Sequence, residues 1–161
     1  MVFHTLPSCE FLPVLDPAAS SLGPVAAPKW ILVADDDDGV RDLWTLVLTG
    51  AGYRVLATRN GREALELMRD VVPDLIILDL HMPEMDGPTF LKALEDAPVL
   101  RRMPVLIVSG FLEDESPRAS LGLNIVGRLA KPPALTDFLA AVQAALAPGA
   151  APPVAASAPG P

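Results

Sequence analysis

Short runs of apolar residues alternate with longer stretches in which apolar positions return every three or four residues. The runs Trp30–Ala34 and Leu75–Leu78, with residues 105–108, are continuous rather than alternating and are too short for buried helices. Such runs predict parallel strands covered on both faces. Residues 54–57 and 127–130 give two weaker strands. Between the first two strands, Val40, Leu43, Trp44, Val47 and Leu48 fall at i, i+3, i+4, i+7 and i+8, the apolar stripe of a helix. Gly50 and Gly52 end it. Asn60 and Glu63 have capping-box spacing before a second helix with Ala64, Leu65, Met68 and Val71, which Pro73 closes. Phe90, Leu91 and Leu94 mark a third helix. Ser116-Pro117 opens a short fourth that Gly122 ends. Leu135, Phe138, Leu139, Val142 and Leu146 trace a fifth. Five strands alternating with five helices predict an α/β fold: a doubly wound, five-stranded parallel sheet with helices on both faces.

Composition sets the limits of this domain. The chain has 161 residues and 51% of them are apolar, enough for one ordinary core. Residues 1–28, with Pro7, Pro13, Pro17, Pro24 and Pro28, read as an irregular extension. Residues 29–147 are the domain, and residues 148–161 a flexible tail rich in Pro and Ala. A net charge of -8 excludes nucleic acid as the expected direct partner, since phosphate binding needs clustered Lys and Arg. The single Cys9 supports neither a disulfide framework nor a cysteine zinc site. No apolar run reaches the roughly 18 to 20 residues of a membrane span, and no Lys or Arg precedes Lys29, so neither a membrane nor a secretory signal is expected. A cytoplasmic location is the expectation.

The chemistry gathers at strand ends. Asp35 and Asp36 follow the first strand, Asp79 the third, Ser109 the fourth and Lys131 the fifth. Ligands of open α/β sheets bind outside the carboxyl ends of the strands. Singly, Asp79 reads as a loop or capping aspartate, Ser109 as a strand-end serine and Lys131 as a solvated charge. Asp37 and Asp38 suit the start of the first helix, next to its positive dipole end. The four strand ends together describe a site.

These residues resemble the response-regulator receiver domain of two-component signalling. The resemblance rests on Ile-Leu-Val-Ala-Asp35-Asp36, on Ile-Ile-Leu-Asp79-Leu-His-Met-Pro83-Glu-Met-Asp-Gly87, on Val-Leu-Ile-Val-Ser109-Gly and on Ala-Lys131-Pro132. It implies a flavodoxin-like, CheY-like sheet of order 2-1-3-4-5. Strands one and three are then neighbours, which brings Asp35, Asp36 and Asp79 together. Three carboxylates at one spot raise each other's pKa unless a cation intervenes, and magnesium, hard and oxygen-seeking, suits them. The resemblance further implies that Asp79 is the phosphoacceptor, taking a phosphoryl group from a histidine kinase or phosphotransfer protein. Asp35, Asp36, Asp79 and the backbone carbonyl of His81 would hold the metal. Ser109 and Lys131 would bind phosphoryl oxygens.

On this reading the protein is a stand-alone receiver, a phosphoprotein that catalyses its own phosphorylation and slow dephosphorylation rather than an enzyme with a separate substrate. As a monomer or weak dimer it would signal by binding a downstream protein through the face of helix four, strand five and helix five. Some positions depart from the family pattern. Arg128 stands where an aromatic switch residue is usual, so the coupling of Ser109 to position 128 would differ. Phe111 replaces a frequent acidic or polar residue, Pro133 follows Lys131-Pro132, and Ala134 replaces a capping aspartate. Two alternatives stay open. One is a degenerate receiver that binds without phosphorylation. The other is a magnesium phosphatase with an aspartate nucleophile, for which His81 stands where a second acid is needed.

Overall fold

The computed structural model describes residues 27–98, 100–110 and 122–147. Its elements are β1 (Trp30–Ala34), α1 (Asp38–Gly50), β2 (Arg54–Thr58), α2 (Gly61–Leu67), β3 (Leu75–Leu78), α3 (Gly87–Glu95), β4 (Pro104–Ser109), β5 (Asn124–Ala130) and α4 (Leu135–Leu146). All strand pairs are parallel, in the order β2-β1-β3-β4-β5. This is the expected doubly wound sheet. Four helices lie among the described residues. The short helix expected from Ser116, the extension over residues 1–26, Phe111 and the tail from residue 148 lie outside them.

The central strands are apolar throughout because each face has its own cover. Ile31 and Val33 of β1, Leu75 and Ile77 of β3, and Leu106 and Val108 of β4 pack with Trp44 and Leu48 of α1 and Phe138 and Val142 of α4. The intervening residues, Leu32, Ile76, Leu78, Val105 and Ile107, pack with Ala64 of α2 and Phe90, Leu91 and Leu94 of α3. The two-residue period of a strand thus feeds two cores, each large side chain contributing about 1.5–3 kcal/mol on burial. Trp44 stacks on Phe138 with ring centroids 3.9 Å apart, joining α1 to α4. No helix among the described residues is long and apolar enough to cross a membrane.

Three elements differ from the sequence reading in detail. Leu43, placed in the buried stripe of α1, is 49% exposed, because the core meets the arc through Val40, Trp44, Val47 and Leu48 and leaves Leu43 at its margin. β5 begins at Asn124, three residues before the expected Gly127. Its register against β4 shifts between Val105 and Leu106, which hides its period in the sequence. α2 stops at Leu67, and the chain tightens into i→i+3 turns at Arg69 and Asp70 before Pro73.

Candidate functional site

Backbone hydrogen bonds align the four strand ends. The Asp35 N–H donates to the Thr58 carbonyl at 3.1 Å, that of Asp79 to Ala34 at 2.9 Å, and that of Lys131 to Ser109 at 3.0 Å. Asp35, Asp79 and Lys131 therefore sit one step past their ladders, where the side chain is released from the sheet but its backbone is still held, whereas Ser109 is the last residue of β4, paired with Ala130. The order β2-β1-β3-β4-β5 places the ends of β1 and β3 side by side, with β4 and then β5 beyond. Lys131 bridges that width. Its Nζ lies 2.6 Å from Asp35 Oδ2 and 2.5 Å from Asp79 Oδ2.

The other carboxylate oxygens are held by backbone. Asp79 Oδ1 accepts the His81 N–H at 3.2 Å, and Asp35 Oδ1 accepts the Asp37 N–H at 3.1 Å. Asp35 and Asp79 are buried while Asp36 is exposed, and ligand atoms of all three lie within 4.8 Å of one another. Burial pushes the Asp35 carboxyl above its ordinary range, even against the hydrogen bond and charge of Lys131. Burial also works to lower the Lys131 pKa, but the hydrogen bonds and charges of Asp35 and Asp79 outweigh it and raise it. Three carboxylates and one ammonium leave a formal charge of -3 + 1 = -2. That donor set, all oxygen and doubly negative, fits a hard divalent cation. Beside it the Ser109 hydroxyl is fully buried and has no hydrogen-bond partner among the described residues. Its place at the strand end lets that hydroxyl donate to an oxygen bound at the cluster.

The loops around the site are held by caps and by one close approach. Asp37 caps α1 by accepting the Val40 N–H at 2.9 Å, and Asp86 caps α3 by accepting the Thr89 N–H at 2.9 Å. Asp38 lies in the first turn of α1, paired with Arg41. At Gly87 a Cβ would stand 2.7 Å from both the Asp79 carbonyl oxygen and Leu80 Cα, so α3 can begin against the end of β3 only with glycine there. The sequence marked Gly87 only as the end of the Asp79 motif and missed this role. It also missed Arg41, whose Nη1 donates to the Asp35 carbonyl at 2.7 Å. The signal for Arg41 was its place one helical turn after the aspartate run.

The structure thus brings Asp35, Asp36, Asp79 and Lys131 into one cluster, with Ser109 at the adjoining strand end. The backbone of His81 reaches Asp79, and its side chain is exposed in the loop. Arg128 is separate from this cluster, exposed on β5 opposite Ile107 of β4.

Residues 31–143 match the profile of the response regulator receiver domain. The chain is 38% identical over 84 residues to the polar-differentiation response regulator DivK of Brucella anthropi, covering 52% of this chain and 68% of that protein. It also superposes on the chemotaxis response regulator CheY4 of Vibrio cholerae, with a TM-score of 0.67, 29% identity and coverage of 74% of this chain and 100% of that one. The same fold occurs in the receiver domain of sensor histidine kinase PA1611 from Pseudomonas aeruginosa, solved with a magnesium ion coordinated in its active-site cleft. That match has a TM-score of 0.66 and 22% identity, and covers 74% of this chain and 98% of that one. With the family profile spanning most of the chain and the strand-end acids, serine and lysine in place, this protein belongs to the response regulator receiver domain family of two-component signalling.

Proposed function

We propose that residues 29–147 form a phosphorylation switch in which Asp79 accepts a phosphoryl group in a magnesium-dependent reaction. The observation that carries this reading is the Lys131 ammonium seated between the carboxylates of Asp35 and Asp79, with the buried hydroxyl of Ser109, which has no partner among the described residues, at the next strand end. Receiver domains interact with histidine kinases or phosphotransfer proteins, and bind magnesium at an acidic cluster of this kind. Asp35, Asp36 and Asp79, with the His81 carbonyl, would hold the ion, which when bound neutralises charge on the phosphoryl oxygens.

The rest of the chemistry belongs to the chain. A carboxylate oxygen of Asp79 attacks phosphorus as the bond from phosphorus to the donor imidazole nitrogen breaks, and that nitrogen leaves neutral. The His81 N–H holds Asp79 Oδ1, and Oδ2, which Lys131 contacts, would be the oxygen that meets the donor. Lys131 carries a positive charge to the oxygens of the transferred group, and Ser109 supplies a hydrogen bond. Water attack on the acyl phosphate later restores the carboxylate and releases phosphate. Nothing in this cycle acts on a separate substrate, so the protein works as a switch rather than as an enzyme of metabolism.

The output is protein binding through the face that carries β5 and α4. A guanidinium is always charged and costs several kcal/mol to bury unpaired. Arg128 therefore stays outward in both states, where a downstream partner with acidic groups meets it. Arg128→Ala is expected to leave labelling of Asp79 nearly normal and to weaken partner binding. An unchanged partner affinity, with and without beryllofluoride, removes Arg128 from the output.

Incubation with acetyl phosphate and magnesium, read by intact mass, tests the core assignment. One phosphoryl group should be gained by the parent and none by Asp79→Asn. Equal labelling of Asp79→Asn would overturn it.

A further inference from the structure

We propose that Arg41 is a positioning residue for the metal-binding loop, an inference that rests on the magnesium-dependent reading above. One guanidinium spans the loop from β1 to α1. Its Nη1 donates to the carbonyl of Asp35 at 2.7 Å, and its Nη2 pairs with the carboxylate of Asp38. The Arg41 side chain is only 12% exposed, so it is held against the protein and does not sweep through solvent. Its own N–H donates to the Asp37 carbonyl at 3.0 Å, which anchors the residue in the first turn of the same helix.

The consequence concerns Asp36. The Asp35 carbonyl shares a planar peptide unit with the Asp36 N–H and Cα, so holding that oxygen restrains where the Asp36 Cα sits and narrows the positions its carboxylate can reach. Asp36 is exposed, and its place within 4.8 Å of Asp35 and Asp79 depends on the backbone that carries it. Four consecutive acids, Asp35 to Asp38, would otherwise repel one another and spread the loop. Arg41 opposes that spreading from one end of the loop to the other.

Two effects of the guanidinium oppose each other, which makes the inference testable by sign. As a bare positive charge near the acids, Arg41 would repel a divalent cation, and its removal would tighten metal binding. As a clamp on the loop, its removal would weaken metal binding. Loss of groups that orient metal ligands typically costs about 10- to 100-fold in affinity, so positioning should win. Lysine keeps the charge but not the planar fork that reaches two acceptors at once.

Magnesium titration by calorimetry of the full chain, paired with thermal melts in its absence, separates these roles. Arg41→Gln is expected to bind magnesium roughly tenfold more weakly than the parent, near the lower end of that range. Arg41→Lys, which retains the stem and charge if the glutamine variant folds poorly, should also bind severalfold more weakly. A merely structural role would lower the melting temperature and leave the affinity of the folded fraction unchanged. Parent-like or tighter binding by either folded variant overturns the assignment. A parent that gives no magnesium response sinks the metal reading itself, whereas a responding parent with equally responsive variants sinks only Arg41.

Discussion

At Gly87 a single hydrogen atom decides whether α3 can approach the phosphoacceptor strand. The atoms a Cβ would meet at 2.7 Å are backbone, the Asp79 carbonyl oxygen and Leu80 Cα, and cannot swing aside as a flexible side chain could. Gly87→Ala is expected to cost about 1–3 kcal/mol and to slow labelling of Asp79 by displacing its peptide unit; denaturant unfolding and acetyl phosphate kinetics check both. The acids make a second residue-scale case. Carboxylates whose oxygens lie within 4.8 Å of one another repel by a few kcal/mol at an effective dielectric of about 20, a cost that Lys131 and solvent partly cancel. Asp36→Ala should therefore lose magnesium binding yet be more stable without metal, by on the order of 1 kcal/mol, or a rise of roughly 4 °C in melting temperature. Unchanged magnesium affinity in that variant would place the ion elsewhere. Residue identity made Asp35, Asp36, Asp79, Ser109 and Lys131 legible from the sequence, because carboxylate, hydroxyl and ammonium at strand ends announce chemistry. Gly87 and Arg41 stayed hidden because one acts through space it leaves free and the other through a backbone oxygen.

At the scale of elements, the helices differ in how their first turns are closed. Asp37, Asn60 and Asp86 each cap a helix with a side-chain oxygen, whereas Ala134 begins α4 with no side-chain cap. Ala134 already has extended backbone, φ -62° and ψ 139°, suited to a capping residue. Ala134→Asp should therefore stabilise the protein by about 0.5–1 kcal/mol without touching the site, a gain that thermal melting can detect. Removing a cap works the other way, and Asp86→Ala should cost about 1 kcal/mol at neutral pH. The hydrogen bonds from Thr89, aided by the charge of His81, hold the Asp86 carboxyl below its ordinary value. An acid with a lowered folded pKa stabilises fully above its unfolded value of about 3.9 and loses that contribution as pH falls through the folded value. The melting-temperature gap between parent and Asp86→Ala should accordingly be full at pH 7 and narrow progressively as pH falls below about 4. A gap that does not narrow at all over that acid range would mean the cap acts without its charge. The capping box at Asn60 was legible three residues ahead of Glu63. Its return bond runs from the Arg59 N–H to Glu63, one residue before the usual partner, a shift only the local backbone could set.

For the whole molecule, the end of the sheet opposite the site is pinned by Asp74. Asp74 accepts from Lys29 Nζ and from the Trp30 N–H, both at 2.8 Å, and its own N–H donates to the Trp30 carbonyl at 2.7 Å. These bonds join the entries of β1 and β3 at the point where the described sheet begins. A chain reduced to residues 29–147 is therefore expected to melt within a few degrees of the full protein and to label on Asp79 as fully. A large fall in melting temperature would show that the flanking segments contribute to the fold. What the sequence by itself determined was local: where apolar period changes from continuous to helical, which residues close each helix, and which polar groups follow each strand. These are legible because a strand buried on both faces and a helix buried on one impose different spacings within a few residues. Tertiary structure alone decided that Leu43 faces outward, that β5 starts early against an irregular β4, and that Lys131 reaches Asp79 across 52 residues of chain. Sequence spacing carries no distance over such a span. Only the pairing of parallel strands, β1 beside β3 and β4 between β3 and β5, turns separate charges into one site.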